Sequence, residues 1–350
     1  MSKKKWSLLT LSILAAILLS IGIMVIIVDP FFHYHAPANG LKYPFDNQRY
    51  INDGIIKKFD YDAIITGTSM TENFKASEFD MLFNAKSVKI PFSGASYKEI
   101  DTTIQRAVTS NPDIKYVVRG LDYNDLLDDK DRMRTDAAYP SYLYDDNVFN
   151  DVSYIYNMDV LMATLKVIYN TFSGGETTTF DEYSSWDANI PYGKDAVDAL
   201  YKRPEKSGET EALSEDELIM LQENLEQNVI KTAIENPQIT FYLFLTPYSI
   251  YYWDSLYQTG TLEKQLAIEK AAIEMLLKYD NIYLFSFHDE FSVICNLDNY
   301  MDTGHYGPHI NSMILNAMAN KEHLLTKDNY MDYFNSIYDF YTKYDYDSLF

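Results

Sequence analysis

The sequence predicts an α/β fold in which a doubly wound parallel sheet follows one N-terminal transmembrane helix and is interrupted by an insertion. Three observations predict this fold: a long uncharged apolar run near the amino terminus, short apolar runs that end in turn residues and precede helical patterns, and a middle region where this periodicity is lost. Strands that alternate with helices are typical of a parallel sheet with helices on both faces. A chain of 350 residues can hold one such domain and additional segments.

The apolar run near the amino terminus predicts a membrane anchor. Residues 8–28 contain no charged side chain, and as a helix they would be about 31 Å long, enough to cross the hydrocarbon core of a bilayer. Lysines 3–5 precede the run, which places the amino terminus in the cytoplasm and the remaining chain outside. A cleaved signal peptide is the alternative, but the run is longer than the ~7–15 residues of such peptides and no small-residue cleavage site follows it. We therefore predict a single-pass cell-membrane protein with an extracellular C-terminal domain.

Five short apolar runs predict the strands of the sheet, at residues 61–66, 87–91, 114–118, 239–245 and 281–287. A helix is expected after Ser69, and a second one over 97–108, where Ser96 and Glu99 have the spacing of a capping box. Ser214 and Glu217 repeat that spacing and open a third helix. A fourth amphipathic helix is expected over 262–277, because Leu262, Leu266, Ile273 and Leu277 share one stripe.

These elements divide the chain into five regions. Residues 1–29 form the cytoplasmic tip and the anchor, and residues 30–59 form a connector. The α/β domain comprises residues 60–127 and 214–326, and it is interrupted by an insertion or lid at 128–213. Residues 327–350 form a C-terminal packing helix with aromatic residues at helical spacing, for which a partner-docking face is the alternative.

Composition excludes several functions. Lys and Arg total 29 against 51 Asp and Glu, and the resulting net charge of -22 repels nucleic acid. A single cysteine, Cys295, excludes an intrachain disulfide, a multi-cysteine zinc site and an iron–sulfur cluster. We expect no cofactor and no metal.

The candidate catalytic residues follow predicted strands, where ligands bind in parallel sheets. Ser69 follows the first strand and is placed as a nucleophile would be, although a helix N-cap is the structural alternative. Asp302 and His305 lie in the loop after the last strand, where the carboxylate can hold one imidazole nitrogen while the other accepts a serine proton. His305 with His309 as metal ligands, and His288 beside two acidic residues as another base, are weaker alternatives.

Four segments together resemble the SGNH or GDSL hydrolase superfamily, whose sheet is flavodoxin-like. Gly67-Thr68-Ser69 occupies the place of the Gly-Asp-Ser block, Gly94 that of the glycine after the second strand, and 122–125 that of a Gly-x-Asn-Asp block that here lacks the glycine. Asp302 and His305 match the Asp-x-x-His block without change. The resemblance implies that Ser69, His305 and Asp302 form a catalytic triad. It also implies that the oxyanion is bound by the backbone N–H groups of Ser69 and Gly94 and by the side chain of Asn124.

A narrower resemblance concerns the anchor and two sequence segments. A single anchoring helix, Gly-Thr-Ser-Met at 67–70 and His-Tyr-Gly-Pro-His-Ile-Asn at 305–311 resemble membrane-anchored bacterial envelope proteins related to the D-alanyl-lipoteichoic acid biosynthesis protein and the alginate O-acetylation proteins. Such proteins often work beside a membrane-bound O-acyltransferase. The resemblance implies an extracytoplasmic serine esterase or O-acyltransferase that acts on acyl esters of cell-envelope polysaccharide or teichoic acid. The alternative is a non-catalytic scaffold of the same fold that binds envelope polymer or the acyltransferase.

Overall fold

The computed structural model describes residues 2–134, 139–145, 147–188 and 190–350, which form two compact units. The first, the helical unit, comprises the described residues of 1–59 and 135–179. The second, the α/β unit, comprises those of 60–134 and 180–350. The predicted connector thus lies in the helical unit, and the predicted insertion is divided between the two units. Helices are numbered in chain order.

The helical unit contains one long apolar helix and three others: α1 Lys3–Val28, α2 Gln48–Lys58, α5 Val152–Ile155 and α6 Met158–Phe172. The apolar run is helical as predicted, and α1 is long and apolar enough to cross a membrane, with a mean hydropathy of 3.0 over 18 residues and most side chains exposed. The other helices were not predicted. Asn157 caps α6, because its side chain accepts the N–H groups of Asp159 and Val160.

Asp29 ends α1. Its backbone adopts a left-handed conformation with φ +45°, and its carboxylate is fully buried. The carboxylate accepts the backbone N–H groups of His33, Tyr34 and His35 at 2.7–3.0 Å and the hydroxyl of Tyr154 at 2.8 Å. These four donors satisfy the buried charge and fix the direction in which the chain leaves the helix.

A six-stranded sheet organises the α/β unit. Its strands are β1 Ala63–Thr66, β2 Ser87–Lys89, β3 Tyr116–Leu121, β4 Thr240–Leu245, β5 Ile282–Ser286 and β6 Leu324–Leu325. Neighbouring strands follow the order β2-β1-β3-β4-β5-β6, in which the first five are parallel and β6 is antiparallel. The prediction of an α/β fold with a mostly parallel sheet is confirmed, and the ends of the five predicted strands move by at most three residues. The short β6 was not predicted.

Ten helices lie in the described part of this unit: α3 Ala76–Phe83, α4 Tyr97–Ser110, α7 Lys194–Leu200, α8 Glu215–Leu225, α9 Lys231–Glu235, α10 Ile250–Thr259, α11 Leu262–Leu276, α12 Phe291–Ile294, α13 Pro308–Asn320 and α14 Tyr330–Lys343. The capping box of Ser214 and Glu217 is present at the start of α8. Ser96 caps α4 by accepting the N–H of Glu99. The predicted C-terminal helix is α14, which buries Tyr333, Ile337 and Tyr341.

The strand order explains where a ligand would bind. After β1 the chain adds β2 on one side, and β3 then pairs with the other side of β1, with Thr66 beside Arg119. Ligands of doubly wound sheets bind beyond the carboxyl ends of the strands at such a reversal. The residues that follow β1 and β3 therefore meet at this edge of the sheet.

The helix expected after Ser69 is present as α3, but it does not begin at Ser69. Residues Ser69–Thr71 form a single 3-10 turn, and α3 begins at Ala76. Between the 3-10 turn and α3, the buried ammonium of Lys89 on β2 donates to the carbonyls of Glu72 and Phe74 at 2.5 and 3.0 Å. These hydrogen bonds satisfy buried backbone acceptors of the irregular segment before α3.

A buried ion pair joins α11 to the loop after β5. His288 Nδ1 donates to Glu269 at 3.1 Å and its Nε2 donates to the carbonyl of Thr246 at 3.0 Å, so both ring nitrogens carry a proton. Burial acts to lower the pKa of His288, but the charge and hydrogen bond of Glu269 outweigh burial and raise it. The hydroxyls of Tyr123 and Tyr333 also donate to Glu269. The Glu269 carboxylate thus accepts hydrogen bonds from His288, Tyr123 and Tyr333.

Glu269→Ala is expected to destabilise the protein by about 3–5 kcal/mol, because it leaves a protonated His288 buried without its counter-charge. Urea unfolding of the full chain in detergent, followed by circular dichroism, measures this loss. Glu274→Ala on the same helix is the control, since Glu274 is exposed, and it should change the free energy of unfolding by less than about 1 kcal/mol. Equal losses in the two variants would contradict the structural role of the pair.

Candidate active site

Ser69, His305 and Asp302 form a continuous hydrogen-bonded chain in the α/β unit. Ser69 Oγ lies 2.8 Å from His305 Nε2, and His305 Nδ1 lies 2.8 Å from Asp302 Oδ2. A carboxylate only accepts, so the proton of the neutral imidazole sits on Nδ1 and Nε2 is left as an acceptor for the serine hydroxyl. The structure thus brings together the three residues proposed from sequence as nucleophile, base and orienting acid.

The loop of Asp302 and His305 is organised by its own carboxylate. Asp302 Oδ1 accepts the backbone N–H groups of Gly304 at 2.8 Å and His305 at 2.7 Å, while Oδ2 holds the imidazole. Tyr300 and Tyr306 pair across the base of the loop. A spacing of three residues is therefore sufficient to form the turn and to orient the ring.

Ser69 is held in its turn by neighbours on both sides. Thr68, rather than Ser69, is the N-cap, because its side chain accepts the N–H of Met70. The carbonyl of Ser69 accepts the indole N–H of Trp186 at 3.1 Å, and the Trp186 ring meets His305 edge-on at 5.5 Å. Gly67 has φ +147°, and a Cβ there would lie 2.6 Å from Thr71 Cγ2, so only glycine fits before the turn.

The charges of the site favour a protonated imidazole. Burial acts to lower the pKa of His305, but the hydrogen bond and charge of Asp302 raise it above the ordinary value, and Asp122 and Glu72 act in the same direction. Burial acts to raise the pKa of Asp302, but the hydrogen bond and charge of His305 lower it. The pair therefore stabilises the imidazolium that forms when His305 accepts a proton.

Asp122 is a second carboxylate of the site, to which the sequence analysis gave no role of its own. It follows β3 directly and is buried, where it accepts the hydroxyl of Thr68 at 2.5 Å and that of Tyr248 at 2.8 Å. Burial raises its pKa, although both hydroxyls and the charges of His305 and Arg119 lower it. The sequence feature that could have identified Asp122 as a site residue is its position just beyond a strand.

The two remaining oxyanion candidates occupy different surroundings. Asn124 is exposed in the 3-10 turn Tyr123–Asp125, where its Oδ1 accepts the hydroxyl of Tyr252 at 2.8 Å, which leaves its Nδ2 hydrogens as donors. Gly94 lies in the loop after β2 with φ +59°, and a Cβ there would lie 2.5 Å from Arg134 Nη1. Asn124 lines the same cavity as Ser69, whereas Gly94 is not among the described residues of its lining.

A cavity of about 490 Å³ opens over the triad. One wall is the segment 200–204, which belongs to the predicted insertion. This segment is fastened by the buried Asp254, which accepts from the hydroxyl of Tyr201 at 2.8 Å and from Arg203 Nε at 3.0 Å. The lining consists of Ser69, Met70, Asp122, Asn124, Leu200, Tyr201, Lys202, Pro204, Tyr248, Tyr252, Ser255, Asp302, Thr303, Gly304 and His305.

The alternatives considered from sequence lie elsewhere. Both ring nitrogens of His288 are bonded inside the protein, so it has no free position with which to accept a substrate proton. His309 Nε2 lies 2.9 Å from Asn299 Oδ1, near the start of α13. Within the described ranges, no group of three or more His, Cys, Asp or Glu side chains is arranged to hold a metal ion.

Comparison with known proteins adds no relative: no family model matches the chain, and no curated protein matches it either.

His305 is expected to titrate above pH 6.5, because the carboxylate of Asp302 raises its pKa. Asp302→Asn keeps an acceptor for Nδ1 but removes the charge, so the midpoint should fall. Proton–carbon NMR of histidine-labelled full chain in micelles measures both midpoints, and loss of one signal in His305→Gln identifies the resonance. A midpoint that does not fall in Asp302→Asn would contradict the assigned charge pairing.

Proposed function

We propose that this protein is an extracytoplasmic serine esterase or O-acyltransferase that acts on acyl esters of cell-envelope polysaccharide or teichoic acid. The observation that carries the proposal is the hydrogen-bonded chain from Ser69 Oγ through His305 to Asp302, with both bonds at 2.8 Å. A nucleophile, a base in reach of it and an acid that orients the base are the parts required for acyl transfer through serine. The four sequence segments that resemble SGNH hydrolases support the same reading.

The reaction would proceed in two steps. Ser69 Oγ attacks the acyl carbonyl while His305 Nε2 accepts its proton, and Asp302 stabilises the resulting imidazolium. The imidazolium then returns the proton to the departing alkoxide as the C–O ester bond breaks, which leaves an acyl group on Ser69. In the second step His305 Nε2 takes the proton of the acceptor hydroxyl, whose oxygen attacks the acyl carbonyl. The bond between the acyl carbon and Ser69 Oγ then breaks, and the imidazolium returns the proton to Ser69 Oγ.

The oxyanion of each tetrahedral intermediate needs donors near the carbonyl oxygen. The side-chain amide of Asn124 is supported as one donor, because the hydroxyl of Tyr252 occupies its oxygen and its NH₂ group remains for substrate. The backbone N–H groups of Ser69 and Gly94 are the other two proposed donors. The N–H of Gly94 can donate only when the oxygen of the bound ester reaches the loop after β2.

The cavity suits a polar polymer with a ring structure. Tyr201, Tyr248 and Tyr252 contribute aromatic surface, and Asn124 and Lys202 contribute polar groups. Aromatic side chains with a polar tip can pack against sugar rings while their neighbours bind hydroxyls or charged substituents. An anchor helix would keep the site beside membrane-proximal polymer and beside a membrane-bound O-acyltransferase, the proposed source of acyl groups.

Hydrolase and transferase use the same residues and differ only in the acceptor. Water as acceptor gives hydrolysis, and a polymer hydroxyl gives transfer. The wall at 200–204 borders the cavity next to the triad, and this position supports a role of its side chains in the choice of acceptor.

A fluorophosphonate probe is expected to label Ser69 of the purified full chain. Labelling should be lost in Ser69→Ala, and in His305→Ala its rate should fall by roughly 10²–10⁴-fold, the usual contribution of a general base. Ser255→Ala is the matched control, because Ser255 lines the same cavity but donates to the carbonyl of Tyr252. Peptide mass analysis locates the adduct. An adduct that persists in Ser69→Ala would show that the nucleophile is another residue.

Ser69→Ala and Asp302→Ala are expected to accumulate normally in cells that lack the native protein, yet not to restore ester-linked acyl groups on envelope polymers. Loss of the half-buried Ser69 hydroxyl removes the nucleophile at a small cost in stability. Asp302→Ala also frees the backbone N–H groups of Gly304 and His305, so its effect is confined to the turn at 302–305 and the protein level is measured beside it. Mild base release of acyl groups measures the activity, and a blot measures protein level. Full restoration by Ser69→Ala would support the scaffold function instead.

A further inference from the structure

The outward face of α6 carries a row of large apolar side chains. Met158, Met162, Leu165, Tyr169 and Phe172 follow one another at alternate spacings of four and three residues and are 45% to 87% exposed. This spacing places them on one side of the helix, and we call them the outer apolar stripe. Exposed side chains of Val148, Phe149 and Val152 precede the helix in the chain.

The other faces of α6 are different. Val160, Thr164 and Val167 are buried inside the helical unit, so the inward face already supplies the packing that a surface helix needs. Asp159 and Lys166 form a polar flank between the two apolar faces, where Lys166 donates to Asp46 at 2.7 Å. Surface helices in water have one apolar face, and a second one indicates another apolar environment.

The stripe adjoins the apolar helix α1. The hydroxyl of Tyr156, two residues before α6, donates to the carbonyl of Leu18 at 3.3 Å. At Gly22, an added Cβ would lie 3.2 Å from that hydroxyl and 3.3 Å from Ile155 Cγ2, so the two segments are in close contact. Leu18 precedes the end of α1 by ten residues, which corresponds to roughly 15 Å along the helix axis.

The position of Leu18 within α1 distinguishes a membrane environment of α6 from an aqueous one. A membrane crossed by α1 up to Val28 would surround the helix at Leu18, and it would therefore also surround Tyr156 and the start of α6. Beyond the end of α1 lies a cavity of about 540 Å³, in which the stripe residues Met162, Leu165 and Tyr169 meet Pro30, Phe31 and Pro44, and whose polar lining consists of Asp46, Asn47, Asp159 and Lys166. In water, the apolar side chains of the stripe would all be exposed to solvent.

We infer that the outer apolar stripe lies in the acyl-chain region of the leaflet that the C-terminal half of α1 crosses. The protein then contacts the bilayer through a spanning helix and an interfacial helix. Tyr156 and Tyr169 have the amphipathic rings that favour the membrane interface, and Lys166 on the flank can meet lipid phosphates. The inference rests on α1 crossing the membrane and is independent of the proposed chemistry.

The test uses single cysteines in the full chain with Cys295→Ser, each labelled with the fluorophore NBD. Met162→Cys, Tyr169→Cys and Phe172→Cys report on the stripe, and Leu14→Cys reports on insertion of α1. Met81→Cys is the matched control, since Met81 is 77% exposed in the α/β unit. The proteins are reconstituted in vesicles of palmitoyl-oleoyl phosphatidylcholine and phosphatidylglycerol at three to one, with doxyl-labelled lipids or aqueous iodide as quenchers. Thermal unfolding confirms that each variant is folded.

The stripe probes and the Leu14 probe are expected to be quenched by doxyl lipids and shielded several-fold from iodide relative to the Met81 probe. Stripe probes that iodide quenches as strongly as the Met81 probe would place the stripe in water and overturn the inference. Shielding from iodide without quenching by doxyl lipids would show that a second copy of the chain covers the stripe, which also overturns it. A Leu14 probe that doxyl lipids do not quench would remove its premise.

Discussion

The carboxylate of Asp122 joins the ends of three strands of the sheet. A charge removed from water must be satisfied by donors, and here they are the hydroxyls of Thr68 after β1 and Tyr248 after β4. Because Asp122 itself follows β3, these hydrogen bonds fix the relative positions of neighbouring turns. Ser69, one residue beyond Thr68, takes its place from this arrangement, and so does the cavity above it.

The carboxylate of Asp122 also contributes to the electrostatic environment of the His305 imidazole. Asp302 contacts His305 directly, whereas Asp122 acts on it through charge alone, and both raise the pKa of His305. An imidazolium formed during catalysis would therefore be stabilised from two directions, only one of which consumes a ring nitrogen. Asp122 thus holds the turn of Ser69 and adds its charge to that of Asp302 at His305.

The parts of the fold predicted from sequence are those set by local patterns. The strands and the Asp302 to His305 loop were predicted because apolar runs and a spacing of three residues are sufficient to define them. The position at which α3 begins could not be predicted, since the carbonyls before it are bonded by Lys89, which lies 15 and 17 residues away in sequence. The orientation of Asn124 could not be predicted, since Tyr252, which fixes it, lies 128 residues away. Helix α6 was missed because an outward apolar face obscures the usual amphipathic pattern.

The end of α1 has a mechanical consequence. Asp29 adopts a left-handed backbone conformation that is unfavourable for a residue with a side chain, and four hydrogen bonds to its carboxylate offset that strain. Tyr154 supplies one of these bonds from a distant part of the chain. These hydrogen bonds therefore make the connection between α1 and the following residues rigid. A twist applied to the residues that follow α1 in the helical unit is passed on to the helix axis, and the two turn as a single body.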